Sequence, residues 1–174
     1  MTATGQVPAP IRIYAVAADI VAPLALRKVS QKLTRLGASS ERLRERAGKP
    51  TLERPEGRMI WCHAASVGES LSILHLIRQM AQHKPDLNFL ITSGTQTSAS
   101  ILADRLPART LHQFAPLDSR RYLRRFLDHW RPDAALFVES ELWPNMLRET
   151  RASGVAMALV NARISDRSVR RWKR

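Results

Sequence analysis

From residue 59 onward, apolar runs of strand length alternate with segments of helical spacing, and few folds accommodate that rhythm. The runs are Met59–Ala65, Leu87–Thr92, Thr110–Ala115, Asp133–Val138 and Val155–Asn161. Between them Leu71, Leu74, Ile77 and Met80 fall on one helical face, and Leu123, Phe126, Leu127 and Trp130 on another. Consecutive strands separated by helices pair in parallel, and a parallel sheet must be covered on both sides. The pattern therefore predicts an α/β domain: a Rossmann-like parallel sheet with helices on both faces.

The residues before 59 are of a different kind. Residues 1–10 carry Gly5, Pro8 and Pro10 without periodicity and read as a flexible start. An apolar stretch, Ile11–Leu26, follows and is broken by Arg12, Asp19 and Pro23; Arg27, Lys28, Lys32 and Arg35 come directly after it. Roughly 20 apolar residues are needed to span a bilayer, so this shorter stretch suits a helix lying in an anionic interface, or one packed on the domain itself. Residues 37–58 are a polar connection in which Glu41–Arg46 alternates charge signs and is expected to form exposed helical turns. The expected division is 1–36 start and membrane-associating helix, 37–58 connection, and 59–174 Rossmann-like domain.

Charge narrows the partners. With 28 Lys and Arg against 15 Asp and Glu, a net +13, the chain favours polyanions: nucleic acid, anionic headgroups or phosphorylated substrates. The segment Asp118–Arg131 contributes Arg120, Arg121, Arg124, Arg125 and Arg131 opposite its apolar face. One cysteine, Cys62, excludes an internal disulfide, and the five histidines lack metal-ligand spacing, so no metal or cofactor is expected.

In open parallel sheets ligands gather beyond the carboxyl ends of the strands, and three loops there carry unusual polar residues. The first, His63–Ser70, holds Ser66, Gly68 and Glu69 at the start of a helix. Gly68 permits close approach of a ligand and the helix start favours an anion. Glu69 has the reach of a general base, but Ser66 and Glu69 also have the S-x-x-E spacing of a capping box, and both readings stand. The second, Thr92–Ser98, is rich in hydroxyls, with Thr92 and Ser93 at its head. The third, Val138–Asn145, places Glu139 and Glu141 at a strand end, where alternation sends both to one side if the chain stays extended; Arg163 is a candidate partner, and Pro144 would open a helix.

His63–Glu69, Glu139–Asn145 and Val160–Ser168, in that order and spacing, resemble the 3-deoxy-D-manno-octulosonic acid (Kdo) transferases, and the resemblance runs from about residue 11 to the end. It implies the amino-terminal, acceptor-side half of a two-domain GT-B glycosyltransferase. Such an enzyme moves Kdo from CMP-Kdo to a lipid A precursor in lipopolysaccharide biosynthesis, at the cytoplasmic face of the inner membrane, without a metal. It also implies that Glu69 is the catalytic base, that Glu139 or Glu141 is functional, and that His63, Ser66, Gly68, Thr92, Ser93, Asn161 and Arg163 contact substrate. The donor-binding domain of that architecture lies outside these 174 residues, so the chain alone is expected to transfer little or no Kdo. Ser93–Gln96 and Phe114–Asp118 depart from the family's usual pattern. The competing readings are a non-catalytic basic module for nucleic acid or anionic membrane, and a GT-B transferase using another nucleotide sugar; neither an aromatic platform nor a helix-turn-helix supports nucleic acid.

Overall fold

The computed structural model describes residues 8–139 and 142–162. The five expected strands form, each within two residues of its predicted bounds: β1 (Met59–His63), β2 (Asn88–Ser93), β3 (Thr110–Phe114), β4 (Ala134–Val138) and β5 (Ala156–Val160). They make one parallel sheet in the order β3-β2-β1-β4-β5. Helices α2 (Val67–His83), α3 (Gln96–Ala103), α4 (Arg120–Trp130) and α5 (Pro144–Ala152) connect successive strands.

Strand alternation divides the core into two layers. Met59, Trp61, Leu90, Ala135 and Phe137 pack against Leu123, Phe126, Leu127 and Trp130 of α4 and Met146 of α5. Cys62, Phe89, Ile91 and Val138 face the other way, onto Ile73, Leu74 and Ile77 of α2 and Leu102 of α3. Cys62 is enclosed in this layer, and burial pushes its thiol up to about 12, as suits a small core residue.

The apolar start forms a helix longer than the apolar run itself: α1 (Ala9–Arg35) begins at Pro8 and passes through Pro23. It ends where Gly37 takes φ +87° and the Ala38 amide returns to the Leu33 carbonyl. One side is docked on the domain. Asp19 pairs with Arg120 at 2.7 Å and accepts from the Ser119 hydroxyl and the Arg120 amide, so it caps α4 from a distance in sequence of about a hundred residues. Tyr14 donates to Asp118 at 2.8 Å. The opposite side exposes Ile13, Val16, Ile20 and Leu24. By length and composition this helix could cross a membrane.

The alternating-charge run does form helical turns, a 3₁₀ helix at Arg42–Ala47, but these are not exposed as expected. Glu45 is fully buried. Its carboxylate accepts from the Phe114 amide at 2.6 Å, from Arg42 Nε and Nη2 at 3.3 Å each, and from the Thr51 hydroxyl. Charge alternation marks a solvated face only when no strand end needs an acceptor; here the amide of Phe114, at the end of β3, does. Gly48 closes the turn at φ +70°, where a Cβ would lie 1.9 Å from the Tyr122 carbonyl oxygen. Removing one member of a buried, multiply bonded carboxylate leaves the others unpaired. Glu45→Ala should therefore destabilise the fold by about 3–5 kcal/mol, read as a lower urea midpoint, whereas Glu41→Ala at the exposed end of the same run should change it little.

Candidate functional site

The chain order reverses beside β1: β2 and β3 lie on one side of it, β4 and β5 on the other. The loops after β1 and β4 leave the sheet in opposite directions there and open the crevice where ligands of such sheets bind.

On the β1 side, Ser66 is the N-cap of α2, its Oγ accepting from the Glu69 amide at 3.3 Å. The Glu69 carboxylate is held twice: Oε1 accepts from the Ser66 hydroxyl at 2.8 Å and Oε2 from the Ala65 amide at 2.8 Å. The capping geometry anticipated from the spacing is therefore formed, with the return bond going to Ala65 instead of Ser66. Each carboxylate oxygen has two lone pairs and spends one here, so one on each stays available to a substrate hydroxyl. Ser66 and Gly68 are exposed, and a Cβ at Gly68 would meet nothing within 4 Å, so this loop leaves room at the helix start.

Behind this loop lies a buried polar chain. Trp61 Nε1 donates to Thr92 Oγ1 at 2.8 Å, and Thr92 Oγ1 meets His63 Nδ1 at 2.9 Å. The Thr92 hydroxyl keeps a proton and a second lone pair beyond its bond from the indole, so it can meet Nδ1 as donor or as acceptor, and the other edge of the ring is Nε2. That Nε2 is buried and has no partner. Burial, reinforced by the nearby Arg46 guanidinium, lowers the His63 pKa to about 4, so the ring is neutral at pH 7. Ser93 is likewise buried and bonds His112 Nε2 at 2.9 Å; Arg42 lies on the other ring nitrogen of His112. The hydroxyls of Thr92 and Ser93 are thus committed inside the domain, and of the two histidines they hold only His63 borders the cavity described below.

On the β4 side the chain does not stay extended. Glu139 takes φ +58°, so the alternation that would send Glu139 and Glu141 to one side ends at Val138. The Glu139 amide still donates to the Val160 carbonyl at 2.9 Å, and its carboxylate accepts from Asn161 Nδ2 at 3.2 Å. Asn161 itself sits at φ +51° just past β5. Two adjacent strands therefore end in left-handed residues that bond each other. Glu141 and Arg163 lie outside the described residues. Pro144 opens α5 as expected, and Asp118 caps that helix by accepting from the Asn145 and Met146 amides at 3.2 and 2.7 Å. Burial raises the Asp118 carboxyl above its usual range, against these bonds.

A cavity of about 160 Å³ opens at this carboxyl edge, bordered among others by Arg46, His63, Ala65, Gly94, Asp118 and Trp143. Arg46 and Asp118 escaped the sequence-based reading of the site. Arg46 sits in a run that looks like solvated surface, and only the packing of its neighbour Glu45 under β3 turns it inward.

An open parallel sheet with a held carboxylate and a cavity at its carboxyl edge defines a Rossmann-like α/β domain of the ligand-binding kind. Residues 41–174 match the family model described as 3-Deoxy-D-manno-octulosonic-acid transferase (kdotransferase). A 3-deoxy-D-manno-octulosonic acid transferase of Rickettsia bellii is 47% identical over 116 residues, 67% of this chain and 28% of the relative. A probable mitochondrial counterpart in Arabidopsis thaliana is 41% identical over 128 residues (74% and 29%), and one in Haemophilus influenzae 33% identical over 135 (76% and 31%). This chain belongs to the Kdo transferase family, and its matched region corresponds to less than a third of each of these three relatives.

The neutral His63 carries a pH signature. Its folded pKa lies below the unfolded value near 6.5, so between about 6.5 and 4 the unfolded chain binds the extra proton and stability falls as pH falls. His112, lowered to about 3 by burial and then by Arg42, adds in the same direction. Urea unfolding from pH 7 to pH 4.5 should show declining stability, and His63→Asn should remove part of the decline, on the order of 2–3 kcal/mol.

Proposed function

We propose that this chain is the acceptor-side domain of an enzyme that transfers Kdo from CMP-Kdo to a lipid A precursor in lipopolysaccharide biosynthesis, with Glu69 as general base. The observation that carries the reading is the Glu69 carboxylate: it stands on the first turn of α2, at the switch point, oriented by two donors and still able to accept a third hydrogen bond. In the proposed step the acceptor hydroxyl gives its proton to Glu69 as its oxygen bonds to the anomeric carbon of Kdo. The bond from that carbon to the CMP phosphate breaks, and CMP leaves with the electron pair. In this reading Glu139 and Asn161, bonded to each other past β4 and β5, meet hydroxyls of the sugar, Gly68 leaves room for the acceptor, and Thr92 positions His63. Glu141, Arg163 and the donor-binding domain complete the site in this reading.

Membrane association at the cytoplasmic face of the inner membrane follows from α1 in the same proposal. Its docked side is fixed by Tyr14 and Asp19, which leaves Ile13, Val16, Ile20 and Leu24 in one stripe for the lipid, with Lys32 and Arg35 in the last turn for anionic headgroups.

Kdo transfer to a lipid A precursor should be assayed with this chain alone and with the remaining portion of the Rickettsia bellii relative. Turnover is expected with both parts, and Glu69→Gln should lower it roughly 10²–10⁴-fold while costing the fold only about 1 kcal/mol through the weakened cap. A variant that loses stability but keeps turnover would reduce Glu69 to capping. In vesicle sedimentation the chain should bind anionic better than zwitterionic phospholipid. Replacing Ile20 and Leu24 by Asp should release it, each substitution costing about 2 kcal/mol of apolar burial.

A further inference from the structure

The cavity beside the Glu69 loop is bordered by two nitrogens that the fold does not use. His63 is 3% exposed, borders the cavity, and has no partner for Nε2. Arg46 reaches the same cavity; its Nη1 donates to the Ala115 carbonyl, but its buried Nε–H has no partner. Neighbouring Glu45 is engaged by Arg42, Thr51 and Phe114, and no carboxylate among the described residues lies within ion-pair distance of Arg46. The Glu45 carboxylate favours the charged guanidinium but is already shared among Arg42, Thr51 and Phe114, so an anion beside the unpartnered Nε–H would offset more of the cost of withdrawing Arg46 from water. The carboxylate bordering this cavity, Asp118, is covered by Tyr14 and the Asn145 and Met146 amides, which disperse its charge. The cavity volume equals about five waters at liquid density, room for one small oxyanion.

We propose that this cavity is an oxyanion subsite, in which Arg46 Nε–H and a His63 ring that carries its proton on Nε2 together hold one carboxylate or phosphate group of a sugar substrate. Ala65 borders the cavity and also donates its amide to Glu69, so a sugar anchored there presents its hydroxyls to that carboxylate. The assignment to a sugar rests on the transferase reading; the anion site itself does not. The group is either the carboxylate of a sugar acid such as Kdo or a phosphate ester on the acceptor.

The test is a titration of the full chain, followed by the His63 Nε2–H resonance and the Ala65 and Gly94 amides. Inorganic phosphate, free Kdo and, as a neutral control, glucose are added at constant ionic strength. Saturable shifts are expected with at least one anion and none with glucose. Saturation by phosphate alone assigns the site to a phosphate ester, and by Kdo alone to a sugar-acid carboxylate. Arg46→Gln should weaken binding about tenfold, the loss expected of one charge-assisted hydrogen bond, and Arg46→Lys should recover part of it. No saturable shift with either anion in the unsubstituted chain, or equal affinity in a folded Arg46→Gln variant, would overturn the proposal. Anion binding without Kdo transfer would leave the subsite standing and sink the transferase reading; transfer without anion binding would do the reverse.

Discussion

Every functional feature of this domain depends on β1 pairing in parallel with a neighbour on each side. Parallel strands cannot be joined by tight turns, so each connection must travel back over a face of the sheet, and the economical path is a helix. With β2 on one flank and β4 on the other, the crossovers diverge, and the loops at the carboxyl edge part between β1 and β4. The crevice exists because the strand order reverses at β1, which sends the crossovers on its two flanks over opposite faces of the sheet. The two apolar layers enforce this arrangement: Trp61 must meet Phe126 and Phe137 while Cys62, one residue on, meets the opposite layer.

A second network ties the amino-terminal elements to that edge, and it is polar. Glu45 terminates β3 by accepting the Phe114 amide, Asp19 caps α4, and Asp118 caps α5 while accepting from Tyr14 of α1. In each case a carboxylate distant in sequence supplies what a strand or helix end lacks. These contacts orient α1 so that its apolar stripe faces away from the sheet, and they set the 3₁₀ turn so that Arg46 points under the site. Helix α1 and the candidate site are therefore mechanically one body.

Strand and helix positions were legible because periodicity is local: a residue's neighbours at two or four positions reveal its face. The Ser66–Glu69 cap was legible for the same reason, since both partners lie within one turn. The burial of Glu45 was not, because its partner Phe114 is 69 residues away and nothing in the charge pattern distinguishes it from solvated Glu41. Nor was the left-handed turn at Glu139 visible, where an extended strand end was the expectation; the bond from Asn161 that accompanies it joins two different strands.

The sequence by itself determined the α/β class, the order of the elements, the family, and which loops would carry the polar residues. Those properties follow from local periodicity and from motifs that are contiguous in the chain. Only the tertiary structure decided that Thr92 and Ser93 turn inward onto histidines, that Asp19 anchors α1 rather than interrupting it, and that Arg46 and His63 share one cavity. Which polar groups are satisfied and which are left to a ligand is settled by distances between segments far apart in the chain, and no local pattern encodes those distances.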